Sequence, residues 1–232
     1  MRASRYSGEF VISDTQNNRQ YLFDLRYRWD QGCVITDWFL AGTIVPTVDA
    51  NGYIDMYNNI NADDESVAMS YNIPNSVGGV PMAFCARVTR QSDESSTDGS
   101  AFLIAIDHVL GPFTIRGHQY IYDKTGGPNQ PKHKWMNQFG VGYQKTITFK
   151  PQFNVEYDIA LIINQPYVSL IVDSALLDEA PYGYRGGGYG LLPQVWCSNN
   201  KNIKLYARHM AGEVSHWKVR DIRAGALVGV ST

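Results

Sequence analysis

Cysteine is scarce in this chain, charge is sparse and long apolar runs are missing, and each shortage removes a class of protein. The 232 residues hold three cysteines, Cys33, Cys85 and Cys197. An odd number without paired spacing argues against a disulfide framework or a zinc knuckle, and leaves room for one bridge plus a free thiol. Charged residues make up 18% of the chain, the formal net charge is −2, and no block of five like charges occurs. The electrostatic footprint of a duplex-binding protein is therefore missing, and no nucleic-acid partner is expected. The apolar stretches Ile159 to Ile163 and Val168 to Val172 fall far short of the roughly 18 residues of a membrane span. The opening Met1-Arg2-Ala3-Ser4-Arg5 leads into Gly8-Glu9-Phe10 and then a polar run, not into an apolar signal core, so no secretory signal is read in it.

What is abundant points to strands. Aromatic residues make up 12% of the chain, with 15 tyrosines, alongside 21 glycines, a mixture that suits strands and turns. Short runs rich in β-branched and aromatic residues recur between Gly, Asn, Asp and Pro clusters. Expected strands include Glu9 to Ser13, Tyr21 to Trp29, Cys33 to Leu40, Thr43 to Val48, Tyr53 to Tyr57, Ser66 to Asn72, Val80 to Arg90 and Ala101 to Asp107. Asn51-Gly52 supplies a tight hairpin turn. Gln91 to Ser100 reads as a polar tip joining two antiparallel strands, and Thr125 to Pro131 as a long loop loaded with strand breakers. Later strands are expected at Lys145 to Phe149, Val155 to Ile163, Tyr167 to Val172, Gly188 to Trp196, Asn202 to Tyr206 and Val214 to Ile222. A rival helix runs through Leu205, Met210, Val214 and Trp217, whose spacing partly fits the 3.6 period, with Gly212 against it. No repeat of about 20 to 50 residues occurs, which excludes propellers and solenoids. Residues 1–232 are accordingly expected to form one all-β domain, a two-sheet antiparallel β-sandwich of the jelly-roll kind.

The order of elements from Tyr157 onward carries a resemblance. A paired strand, Tyr157 to Ile163, is followed by Val168 to Asp173, a strand ending in Asp. A Gly-rich entry follows at Gly186-Gly187-Gly188-Tyr189-Gly190-Leu191, and then the strand Val214-Ser215-His216-Trp217-Lys218-Val219-Arg220-Asp221-Ile222. This order resembles the closing strands of concanavalin A-like lectin/glucanase (laminin G-like) domains. Thr36 to Gly42 followed by Ile54-Asp55-Met56 also looks like the opening of sugar-related members. The resemblance implies two stacked antiparallel sheets and a concave face that often holds a glycan. It covers lectins, carbohydrate-binding modules, glycoside hydrolases, polysaccharide lyases and viral receptor-binding heads, so it supplies a ligand class and not a reaction.

The glucanase branch places two carboxylates on one strand as Glu-x-Asp-x-x-Glu, and this chain has no such run; after Asp107 come His108 and Val109. A lyase would need a cation beside the uronate and a His/Tyr pair to move the proton. Asp107, Arg116, His118 and Tyr120 are the candidates, and the alternation of Arg116, His118, Tyr120 and Tyr122 would set the last four on one sheet face; the plainer reading is a solvent-facing polar strand. For sugar binding, aromatic faces stack on pyranose rings while amides and carboxylates pair with hydroxyls. Two loop patches qualify, with Trp135 and Asn137 in one and Tyr182, Tyr184, Arg185 and Tyr189 in the other. Either patch could instead fold back to cap the sandwich edge. No cofactor is required, no metal ligands are assigned, and the loop acids Asp63, Asp64 and Glu65 or Asp93, Glu94 and Asp98 could supply oxygens to Ca2+. The five histidines show no zinc spacing, and no Gly-x-Ser-x-Gly elbow is present.

The leading expectation is a non-catalytic, lectin-like carbohydrate-recognition domain whose partner is a glycan or polysaccharide. A polysaccharide lyase or glycoside hydrolase on the same fold is the enzymatic alternative. A structural or receptor-binding component of a virus or phage particle is the third, and it predicts a homo-oligomer. Each of these functions favours an extracellular or virion-surface location.

Overall fold

The computed structural model describes residues 4–29, 34–58, 66–73, 81–91, 101–110, 113–123, 130–137, 140–164, 167–181, 200–208 and 215–232. They form strands β1 (Ser4–Asp14), β2 (Arg19–Trp29), β3 (Phe39–Leu40), β4 (Thr47–Val48), β5 (Ile54–Asn58), β6 (Ser66–Ile73), β7 (Met82–Arg90) and β8 (Ala101–Leu110). These are followed by β9 (Phe113–Asp123), β10 (Gln130–Asn137), β11 (Gly140–Thr146), β12 (Glu156–Asn164), β13 (Tyr167–Val172), β14 (Ala175–Pro181), β15 (Asn200–Arg208) and β16 (Ser215–Ser231). A single 3-10 turn, Ile35–Asp37, is the helical element among the described residues.

The strands divide into two antiparallel sheets. One runs β1-β2-β16-β7-β12-β13-β14 with β5 paired onto β16 and β4 onto β5, and the other runs β11-β10-β9-β8-β15-β6-β3. Strict alternation builds the layer between them. Val67 and Met69, Phe102, Ile104 and Ile106, and Ile203, Leu205 and Ala207 from the second sheet meet Phe84, Ala86 and Val88, Ile159, Leu161 and Ile163, and Trp217 and Val219 from the first. Phe102 and Trp217 stack with ring centroids 4.3 Å apart and 9° between planes. Burying side chains of this size contributes on the order of 1.5–3 kcal/mol each.

A second apolar cluster sits on the other face of the first sheet. The pairing of β2 with β16 shifts register between Ala224 and Gly225, and this bulge turns β2 over. Tyr27 and Trp29 face the inter-sheet core, whereas Tyr21, Phe23 and Leu25 pack with Phe10, Ile12, Cys85, Ala160, Ile162 and Ile171. The β1–β2 hairpin thus curls over the back of its own sheet. Its turn is fastened to the β13–β14 turn, where the Thr15 backbone N–H and hydroxyl both donate to the Ser174 carbonyl. Asp14 organises that turn by accepting from the backbone N–H groups of Gln16 and Asn17, the Asn17 amide and the Arg19 guanidinium, which also reaches Glu179. Burial alone would raise the Asp14 pKa, but the hydrogen bonds from Asn17 and Arg19 outweigh it and hold the carboxyl below its usual range. At the bulge, a Cβ on Gly225 would lie 2.2 Å from the Asp24 carbonyl oxygen, a close approach that only glycine allows.

Several sequence expectations are corrected. The patch Lys132 to Gln138, expected as a loop, is largely strand β10. Pro131 is tolerated there because it stands at the second position, where its carbonyl still accepts from the Ile147 N–H. The rival helix near Leu205 and Trp217 is replaced by β15 and β16, and the inward-facing Leu205 and Trp217 show a period of two along each strand. The strand expected at Lys145 to Phe149 lies earlier, as β11. Gly188 to Trp196 lies outside the described residues.

Candidate functional site

His118 and Tyr120 alternate on β9 as expected, but they point inward. Both are fully buried, in register with the core residues Ile106 and Ile104. The solvent-facing reading of this strand is therefore corrected for these two side chains. Their neighbour across β10 is the equally buried His133, paired with Tyr120. Asp178 of β14 reaches across from the opposite sheet to His133, with Nδ1 and Oδ2 2.6 Å apart, and the Lys145 ammonium donates to the other Asp178 oxygen at 2.6 Å. His133 Nε2 is in turn in contact with His118 Nε2. The line Lys145, Asp178, His133, His118 clamps the lateral edge where β11 faces β14. Both imidazoles are fully buried.

Asp107 stands in register with Asn202, which also pairs with Asn72. On the outer face of that sheet Lys204 lies over the Tyr206 ring, its Nζ 5.5 Å from the centroid. Arg116, Trp135 and Asn137 are placed by their backbones on β9 and β10. Tyr182, Tyr184, Arg185 and Tyr189 lie outside the described residues, as do the acidic loops Asp63 to Glu65 and Asp93 to Asp98. Among the described residues no three His, Cys, Asp or Glu side chains converge to hold a metal ion, and no helix is long and apolar enough to cross a membrane.

A pocket that sequence reasoning missed opens at the end of the first sheet. It has a volume of about 350 Å3 and is lined by Asp49, Asn51, Tyr53, Thr89, Gln91, Asn154, Glu156 and Lys218. Asn51-Gly52 makes the expected turn, with Gly52 at φ 79°. Asp49 fixes that turn by accepting from the backbone N–H groups of Asn51 and Tyr53. Opposite it, Asn154 adopts φ 60° and donates its N–H to the Arg90 carbonyl at 2.7 Å, which holds this loop beside the end of β7. The floor comes from register. Lys218 pairs with Thr89 and Thr89 with Glu156, so the three side chains form one row across β16, β7 and β12. Phe153 and Val155, on either side of Asn154, are exposed, and the Arg90 guanidinium covers the Phe153 ring at 4.1 Å from its centroid.

The charges in this pocket are matched within the protein. Lys218 donates to Asp49 at 2.8 Å, and Arg220 forks onto both oxygens of Glu156, which also accepts from the Tyr53 hydroxyl. For Asp49, burial acts to raise the pKa, but the Lys218 ammonium and the two backbone N–H groups prevail and lower it. Burial, followed by the Glu156 carboxylate, raises that of Tyr53, so the phenol stays protonated. The Asp49 bond raises that of Lys218. At neutral pH Asp49 is thus ionised, Lys218 protonated and Tyr53 a neutral phenol.

No protein-family model matches the chain, and no curated protein matches its sequence. Solved structures do. The Emp46p carbohydrate recognition domain superposes with a TM-score of 0.57 at 8% identity, over 82% of this chain and 88% of that one. Family 7 alginate lyase A1-II', in complex with a substrate, gives 0.57 at 9% identity over 83% and 94%. The globular domain of T. cruzi calreticulin gives 0.57 at 12% identity over 82% and 84%. The fold is that of the concanavalin A-like lectins and glucanases. This concanavalin A-like sandwich carries a hairpin, β1–β2, packed on the back of one sheet, and the polar pocket opens on that same sheet.

Proposed function

We propose that this concanavalin A-like domain recognises a glycan. The observation that carries the reading is the pocket of Asn51, Gln91, Asn154 and Thr89 around the paired charges of Asp49, Glu156 and Lys218. Its volume of about 350 Å3 lies at the lower end of small-ligand sites, suited to one or two sugar rings. Amides and a hydroxyl offer both donors and acceptors to ring hydroxyls, and the Tyr53 ring in the lining adds an aromatic surface. Two of the similar folds, the Emp46p domain and the alginate lyase, are by name concerned with carbohydrate. Binding is favoured over hydrolysis because both pocket carboxylates are engaged by cations within the protein, whereas a glycosidase keeps one carboxyl protonated at its working pH. A glycan array followed by calorimetry tests this. Saturable binding of at least one oligosaccharide is expected, and no binding at millimolar concentration to any glycan class would refute it.

A further inference from the structure

Beyond glycan recognition in general, and resting on that reading, we infer that the pocket at the Asn51-Gly52 turn selects neutral saccharides and rejects acidic ones. The reason is its charge. The lining holds two carboxylates, Asp49 and Glu156, against one ammonium, Lys218. That ammonium is committed. It donates to Asp49 and also faces Asp55, whose charge helps keep it protonated. The next cation, Arg220, spends Nε and Nη2 on Glu156 with its guanidinium lying over the Tyr53 ring. Arg87, one row further along the sheet, is likewise bound to Asp158 and Asp221.

A uronate, sialate or sulfate entering here would add a third negative group beside Asp49 and Glu156, and the cations it could reach, Lys218 and Arg220, already neutralise those two carboxylates. Like charge without a compensating donor is how sites exclude a ligand class. A neutral sugar meets the opposite situation. Carboxylate oxygens with remaining lone pairs accept from hydroxyls in charge-assisted bonds, and the Gln91, Asn51 and Asn154 amides donate and accept without net charge. Because the Asp49 carboxyl is already held in its ionised form by Lys218 and two backbone N–H groups, sugar binding need not displace a proton.

The test is a binding panel at physiological salt: neutral gluco-, manno- and galacto-oligosaccharides against oligouronates and sialylated or sulfated glycans. It compares the wild-type chain with Asn154→Gly and Gln91→Ala. Asn154→Gly removes the amide at a position whose positive φ suits glycine, so the backbone keeps its path, and Gln91→Ala removes the second amide by an independent route. Melting temperatures verify folding. The expected result is neutral-glycan binding weakened about tenfold or more in each variant, the size expected for losing an amide hydrogen bond, with no measurable binding of acidic glycans. If the best ligand is acidic and its binding falls in both variants, glycan recognition stands and the neutral preference is overturned. Binding unaffected by either variant overturns the assignment of the pocket. Absence of binding to every saccharide refutes the glycan reading itself.

Discussion

Replacing Asp14 with Ala should cost about 3 kcal/mol, because this one carboxylate holds the turn that closes the β1–β2 hairpin over the second apolar cluster. Its side chain is completely buried. It accepts from two backbone N–H groups at 3.1 and 3.2 Å, from the Asn17 amide at 2.8 Å and from Arg19 at 2.9 and 3.1 Å. A hydrogen bond involving a charged group contributes about 1.5–3 kcal/mol, and breaking a buried ion pair costs about 3–5 kcal/mol. The lower end applies because Arg19 is partly exposed and keeps Glu179 at 2.9 Å. Asp14→Asn retains an acceptor for the backbone N–H groups and loses the charge, so about 1–1.5 kcal/mol is expected. Urea denaturation reads the difference. With a slope of about 3 kcal/mol per molar, Asp14→Ala lowers the midpoint by about 1 M. The acid limb supplies a second readout. The folded-state pKa of Asp14 lies below its unfolded value of about 3.9, so its stabilisation is present above that value and is lost as pH falls through the folded pKa. Asp14→Asn should flatten the stability profile in that range. A loss under about 0.5 kcal/mol for Asp14→Ala, with an unchanged acid limb, would refute the role given to the turn.

Other positions yield sharper contrasts. Gly225→Ala places Cβ against the Asp24 backbone and should lower the melting temperature steeply or abolish folding, while Gly229→Ala, whose Cβ would meet only Leu22 Cδ1 at 3.7 Å, should be tolerated; equal behaviour in thermal melts would contradict the bulge. Phe102→Ala removes the ring stacked on Trp217 and should cost about 3–5 kcal/mol, with a red shift in tryptophan fluorescence; a cost below about 1 kcal/mol would mean that the ring lies outside the core. The Cys85 thiol is fully buried, and burial pushes its pKa up to about 11. Iodoacetamide at pH 8 should therefore leave it unmodified in the folded protein and label it on unfolding, as read by peptide mass mapping; rapid labelling of the native chain would place this thiol at the surface.

Much of the fold was legible because strands advertise themselves by alternation. Tyr157 to Ile163 and Tyr167 to Val172 read as paired apolar runs and are paired strands, joined onward by Asp173 and Ser174, both at positive φ. β10 was hidden because Pro131 and the polar Lys132, His133 and Lys134 resemble loop composition. Lys132 and His133 are nevertheless buried, and for His133 the buried partner is Asp178, 45 residues away on another sheet. No local pattern carries a partner at that distance. The pocket was illegible for the same reason. Asp49, Thr89, Asn154 and Lys218 come from four separate segments, and only the register of β7, β12 and β16 assembles them. The Asn51-Gly52 turn was the one part of it that the sequence announced, and it announced a turn, not a ligand.

The claim that this sandwich binds a glycan at the Asn51-Gly52 turn is tested most directly by an amide-resonance titration of the isotopically labelled 26.0 kDa chain with the tightest neutral oligosaccharide from the panel. The expected result is saturable shifts concentrated at Asn51, Tyr53, Gln91 and Asn154, with the Asn202 to Tyr206 strand unmoved. Shifts confined to that outer face of the second sheet, or spread without saturation, would contradict it.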